Sequence, residues 1–134
     1  MQILNILLPS LALAQTGSPF SPSVYSAAHV DVTAVSATGD NLFIGSGKVI
    51  KQLDPLTGKE NGISFTGHTD IINSIVIKDG NLFSGSVDGT IKQWDISTQK
   101  VIRTFTGHTS EVWQVLVDGN TMFSSAGDES IRIW

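Results

Sequence analysis

The chain has 134 residues, 40% hydrophobic and 15% charged, which leaves room for one domain with a core and describes a globular chain, not a disordered one. Its net charge of -4, with lysines and arginines scattered singly, supplies no basic stripe against a phosphate backbone, so nucleic acid and anionic membranes are not expected partners. The absence of cysteine excludes disulfides, thiolate metal sites and cysteine nucleophiles, and leaves the redox compartment open.

Met1 to Val30 contains no Asp, Glu, Lys or Arg. The apolar run ILNILLPSLALA within it falls short of the roughly 20 residues that span a bilayer, and no transmembrane segment is expected. It closes on Ala12-Leu13-Ala14, small residues at the spacing that signal peptidase accepts. Residues 1–14 therefore read either as a secretory signal cleaved after Ala14, which implies a secretory or extracellular location, or as an apolar N-terminal strand, which leaves a cytoplasmic one. Residues 15–28, rich in Ser, Pro and Gly, read as a linker or as an added strand where Val24 and Tyr25 become extended.

The remainder is governed by a repeat of about forty residues. Phe65 to Trp94 lies over Phe105 to Trp134 without a gap, so that Phe83, Ser84, Asp88, Ile91 and Trp94 fall on Phe123, Ser124, Asp128, Ile131 and Trp134. A worn copy precedes them: NLFIGS from Asn41 matches NLFSGS from Asn81, IKQLD from Ile50 matches IKQWD from Ile91, and His29 stands where His68 does. The three units divide at 29–64, 65–104 and 105–134. In the second, Ile72 to Ile77, Leu82 to Ser86, Thr90 to Trp94 and Val101 to Phe105 read as strands, separated by Lys78-Asp79-Gly80, Val87-Asp88-Gly89 and Asp95 to Gln99. Connections this short permit only antiparallel pairing, because parallel strands need a long crossover. Each unit is thus a four-stranded meander, too small to bury both faces alone, and copies must stack.

The segment TGHTDIINSIVIKDGNLFSGSVDGTIKQWD resembles a WD-repeat blade, with its Gly-His opening and Trp-Asp close. The resemblance covers His68 to Asp95 nearly completely, His108 to Trp134 well and His29 to Asp54 loosely. It implies an all-β fold of β-propeller blades around a channel, about seven in a full ring, with loops rimming a binding face. Three blades, the last without its outer strand, make an open or partial propeller. The chain then reads as a fragment of a longer protein, or as a subunit that self-associates through its open blade edges, with Val24 to Ala27 of one copy supplying the missing strand of another.

The histidines fit a structural role better than a chemical one. A zinc site needs three or four convergent ligands, and histidines forty residues apart in separate blades lie in separate places, so no metal or cofactor is expected. A catalytic triad spelled from Ser86, His68 and Asp88 recurs in register with Trp94 in a repeated unit, and an active site is not expected once per blade. The donors and acceptors instead form a chain: the Trp94 indole only donates, Ser86 accepts and donates onward, neutral His68 does both, and Asp88 only accepts. This chain resembles the structural tetrad of WD repeats, carried onto His68, Ser86, Asp88 and Trp94. In the third unit His108, Asp128 and Trp134 are present but Ala126 holds the serine position, which cuts the relay between indole and imidazole unless Ser124 or a water takes the serine's place. The first unit keeps His29 and Ser46, lacks the turn aspartate and has Leu53 for the tryptophan, and is expected to rely on apolar packing.

Function then falls to the loops. The favoured face of WD repeats maps here to Ile71, Asn73 and Val87, to Glu111, Trp113 and Gly127, and to Asp31 and Thr33. Strand alternation places Trp113 on the side of Val115 and Val117, so it reads either as a rim anchor or as core. Lys51, Lys92 and Arg132 recur at one position of the third strand and read as a solvated face. The expected function is a non-enzymatic scaffold that binds a protein or peptide through its loop face. The rivals are a hydrolase-like enzyme using the channel, with Asp31, Asp70 and Glu111 as its carboxylates, and a fragment without independent activity.

Overall fold

The computed structural model describes residues 31–39 and 41–134. The segments read as a signal, a linker and an added strand, and His29 with them, lie outside the described residues. Eleven strands follow in order: β1 (Val32–Thr38), β2 (Asn41–Ser46), β3 (Val49–Leu53), β4 (Glu60–Thr66), β5 (Ile72–Lys78), β6 (Asn81–Ser86), β7 (Ile91–Asp95), β8 (Lys100–Phe105), β9 (Val112–Asp118), β10 (Thr121–Ala126) and β11 (Ile131–Ile133). They form two four-stranded sheets, β1-β2-β3-β4 and β5-β6-β7-β8, and one three-stranded sheet, β9-β10-β11, in which every pair is antiparallel. The sheets are three successive blades. Phe65-Thr66 and Phe105 belong to β4 and β8, the outer strands of the preceding sheets, so the Gly-His segments bridge one blade to the next.

Tight turns make the meanders. Between β5 and β6, Asp79 and Gly80 both take positive φ, 49° and 76°, the pairing that closes a two-residue hairpin with the right twist. The aspartate of each Trp-Asp or Leu-Asp pair folds the connection to the outer strand: Asp54 Oδ1 accepts from the Leu56 and Thr57 amides at 2.8 Å each, and Asp95 Oδ1 accepts from Ser97 and Thr98 at 2.8 and 2.9 Å. Such side-chain-to-backbone bonds are the ordinary use of Asp in turns.

The blades bury their faces against one another. Ala34, Phe43, Ile50 and Phe65 of the first meet Ile72, Ile75, Leu82 and Trp94 of the second. The opposite face of the second, with Val76, Phe83, Ile91 and Phe105, meets Val112, Val115, Met122 and Trp134 of the third. The same positions serve at both junctions, as expected of stacked repeats. Approach is close enough at the second junction to require a bare backbone: a Cβ on Gly85 would lie 2.7 Å from Val112 Cγ1.

Each innermost strand carries a bulge near its start. Val32 pairs Ser46 while Ala34 pairs Gly45, Ile72 pairs Ser86 while Ser74 pairs Gly85, and Val112 pairs Ala126 while Gln114 pairs Ser125. The extra residues are Thr33, Asn73 and Trp113. A bulge breaks two-residue alternation, and this corrects the side assigned to Trp113: Val112 and Val115 are buried, while Trp113 between them is 54% exposed.

Candidate functional site

The first two bulge residues join blades. Thr33 Oγ1 donates to the Ile72 carbonyl, and Asn73 Nδ2 donates to the Val112 carbonyl at 3.0 Å. Thr33 and Asn73, expected among the partner-binding residues, thus spend a donor inside the molecule. Trp113 occupies the same place in the third blade and has a long, 3.4 Å bond from its Nε1 to Glu111 Oε1. It borders a groove of about 530 Å³ where the innermost strands converge, lined also by Val35, Asn73, Ile75, Gln114 and Ser125.

The other expected positions cluster at the same end of the sheets. The Val87 amide bonds the Ile71 carbonyl at 2.8 Å, and the Gly127 amide bonds the Glu111 carbonyl at 2.9 Å, which fixes the two loops of each blade together. Glu111 also accepts from the Ser110 hydroxyl, and this bond, followed by lesser ones including that from Trp113, holds its carboxyl below the usual range. Asp31 and Asp70 are exposed, and Asp70 Oδ1 accepts from the Ile71 amide. Among the described residues no three His, Asp or Glu side chains come together to hold a metal ion.

Beneath these loops lie two polar relays. Trp94 Nε1 donates to Ser84 Oγ at 2.8 Å, Ser84 Oγ lies 2.8 Å from His68 Nε2, and His68 Nδ1 lies 2.7 Å from Asp88 Oδ2. Because the indole can only donate and the carboxylate can only accept, the proton sits on His68 Nδ1 and the Ser84 hydroxyl donates to Nε2. The serine is Ser84, not Ser86. Trp94 pairs with Leu82 across the strands, so Ser84 is its next neighbour on that face, whereas Ser86 stands about 7 Å further along. Ser86 instead donates to the Asp70 carbonyl and accepts from the Asp88 amide, both at 3.1 Å.

The same correction makes the third relay whole. Trp134 Nε1 donates to Ser124 Oγ at 2.9 Å, Ser124 Oγ lies 2.7 Å from His108 Nε2, and His108 Nδ1 lies 2.8 Å from Asp128 Oδ2. Ala126 removes only the counterpart of Ser86. In the first blade Ile44 and Leu53 stand at the places of Ser84 and Trp94, and both are buried. The indole donor and the hydroxyl that accepts it are thus lost together, so neither leaves the other unpaired.

Electrostatics follow the geometry. Burial pushes the Asp88 carboxyl up, but bonds from the Thr90 hydroxyl, the Thr69 amide, His68 and the Thr90 amide outweigh it and hold it at about 2. Burial pushes the His68 imidazole below its usual 6.5, against the raising influence of Asp88. Asp128 is held low chiefly by the Ser130 hydroxyl and then by His108. The neutral imidazole and charged carboxylate of the second blade are therefore the stable forms at neutral pH.

Antiparallel meanders in a forty-residue repeat, with a Trp-Ser-His-Asp relay in two of the three sheets, define propeller blades of the WD class. Residues 59–95 and 99–134 match the family described as WD domain, G-beta repeat, and the chain belongs to that family. It is similar to the U3 snoRNP-associated protein-like EMB2271 of Arabidopsis thaliana, 29% identical over 96 residues that cover 69% of this chain and 20% of that protein. It is also similar to the F-box/WD repeat-containing protein 10 of Mus musculus, 36% identical over 67 residues, covering 48% and 6% of the two chains. The probable E3 ubiquitin ligase complex SCF subunit scon-2 of Neurospora crassa is 52% identical over 40 residues, covering 28% and 6%. The chain thus spans a fifth or less of the length of these relatives.

Proposed function

We propose that the chain is a WD-repeat interaction module that binds a protein or peptide across the groove where β1, β5 and β9 converge, with Trp113 as its anchor. The observation that carries this reading is the exposure of a tryptophan at a bulge whose equivalents, Thr33 and Asn73, are tied down. Tryptophan is enriched at binding hot spots because a large, stiff side chain with one donor gains much area for little entropy. Glu111 beside it, together with the -4 net charge, suits a partner segment carrying Lys or Arg near an apolar residue. Ile71, Val87 and Gly127 form the rim. The relays beneath are scaffold: each is closed upon itself and directs no free nucleophile into the groove.

The names of the relatives, which mention a U3 snoRNP and an SCF complex, support an intracellular place over a secretory one. The test is selection of a phage-displayed random peptide library on the chain, followed by affinity measurement on the Trp113→Ala variant. Selected peptides should lose at least about tenfold in affinity, as truncation of a hot-spot residue does. Binders indifferent to both Trp113→Ala and Glu111→Gln would sink this reading.

A further inference from the structure

The outer strand of the first blade departs from that of the second at one point. In the second, Lys92 pairs Thr104, Gln93 pairs Arg103 and Trp94 pairs Val101, so that Ile102 alone is extra. In the first, Lys51 pairs Ser64 and Leu53 pairs Glu60, so that Asn61, Gly62 and Ile63 together stand opposite Gln52. The ladder opens there. Asn61 and Gly62 are both exposed, whereas Ile63 packs against the core of the first junction. The bulge needs glycine, because Gly62 has a φ of 83°, and a Cβ placed on it would meet nothing within 4 Å, so no neighbouring side chain shields the bend.

Six asparagines occur in the chain, and Asn61 alone is followed by glycine. Three of the others are tied in place: Asn41 accepts from Gln52, Asn73 donates to the Val112 carbonyl at 3.0 Å, and Asn81 donates to the Asp79 carbonyl at 3.2 Å. Asn61 Nδ2 has no partner among the described residues, while its Oδ1 accepts from the Ile63 amide at 3.1 Å. That bond folds the side chain over the next peptide, because the ring it closes runs from Cγ past the Gly62 nitrogen to Ile63. Electrophile and nucleophile are thereby brought together, and the Ile63 N–H already meets the oxygen on which negative charge develops when they react.

We propose that Asn61-Gly62 is a self-modifying site, at which the asparagine is converted to aspartate and isoaspartate and the first junction is loosened. The Gly62 nitrogen gives up its proton to water and bonds to Asn61 Cγ. The oxyanion on Oδ1 then collapses, and Nδ2 leaves as ammonia with a proton taken from water. The product is a five-membered succinimide. Water opens this ring in two ways: breaking the new bond between the Gly62 nitrogen and Cγ gives aspartate, and breaking the original peptide bond gives isoaspartate, in which the main chain runs through Cβ and Cγ. In sum a water is consumed and an ammonia released, and no oxidant or reductant takes part. Either product adds a negative charge next to Glu60, which already holds Lys51 Nζ at 2.7 Å. Isoaspartate also lengthens the strand just before Ile63 and Phe65, both of which pack the first junction. That junction therefore weakens with the age of the chain.

The test is incubation of the folded chain at neutral pH beside a synthetic peptide with the sequence of Thr57 to Thr66. Ion exchange and peptide mapping, with a protease that cuts before aspartate but not before isoaspartate, follow the products. A more acidic species should accumulate, altered at Asn61 and intact at Asn73 and Asn81, at least as fast in the folded chain as in the peptide. Asn61→Gln should abolish that species, because the larger ring closes far more slowly. In the purified isoaspartate form, amide exchange from Ile63 to Phe65 should rise roughly tenfold while β9 to β11 keep their protection. Conversion slower in the folded chain than in the peptide would overturn the proposal, since the fold would then shield the site. So would an isoaspartate form in which β4 exchanges as before.

Discussion

The Ser84 hydroxyl is the pivot of the second blade, because it accepts from Trp94 and donates to His68 in the same place. Ser84→Ala orphans a fully buried indole N–H and a buried imidazole nitrogen together, and each such loss costs about 1–3 kcal/mol. Ser86→Ala removes two ordinary bonds to loop backbone, and the third blade already tolerates alanine there as Ala126. Urea unfolding should place the Ser84→Ala loss at roughly 2–4 kcal/mol and the Ser86→Ala loss at roughly 1 kcal/mol. Equal losses would mean that the relay carries no special weight. The sequence contained the signal for this choice, since the gapless repeat aligns Ser84 with Ser124 but Ser86 with Ala126. Donor and acceptor counting alone could not select between two serines on one face; the distance from Trp94 does.

At the scale of elements, Asp88 and Asp128 tie each β6–β7-type turn to the loop that leads into the blade, through Thr69 and Thr109 amides at 3.0 and 3.1 Å. Both carboxyls are held below their usual 3.8, Asp88 at about 2, so the unfolded chain takes up protons more readily than the folded one. Their contribution is complete above about pH 4 and is lost as pH falls towards 2. His68 is also lowered, so its contribution is complete above its ordinary 6.5 and is lost on acidification through its folded value. Chemical denaturation followed against pH should be flat from 8 to 7, decline below about 6.5 and fall again below 4. Asp88→Asn should flatten the last limb, and stability that rises on acidification from 7 to 5 would contradict the assignment. The strands and turns themselves were legible, because Gly, Asp and Asn punctuate the apolar runs. The bulges were not: one extra residue leaves no mark on a hydrophobic pattern, so Trp113 was placed by an alternation that Thr33, Asn73 and Trp113 each interrupt.

Among the described residues, two apolar clusters pack the second sheet against the first on one face and against the third on the other. Stability in such arrays is close to a sum of blade and junction energies, so where a relay is broken matters as much as which relay. Among the described residues the third blade has three strands and one junction, with Val112, Val115 and Met122 as its main buried surface. Ser124→Ala should therefore open β9 to β11 before the rest, speeding amide exchange there roughly 10- to 30-fold while β1 to β8 keep their protection. Ser84→Ala weakens the blade on which both junctions depend and should raise exchange in all three sheets. If Ser124→Ala instead raised exchange uniformly, the blades would be one cooperative unit and the nearest-neighbour account would fail. The same experiment bears on the groove, because Trp113 lies on β9 and borders it. A Ser124→Ala chain that frays at β9 should lose selected peptides together with its β9 protection, whereas Trp113→Ala should lose them with exchange unchanged.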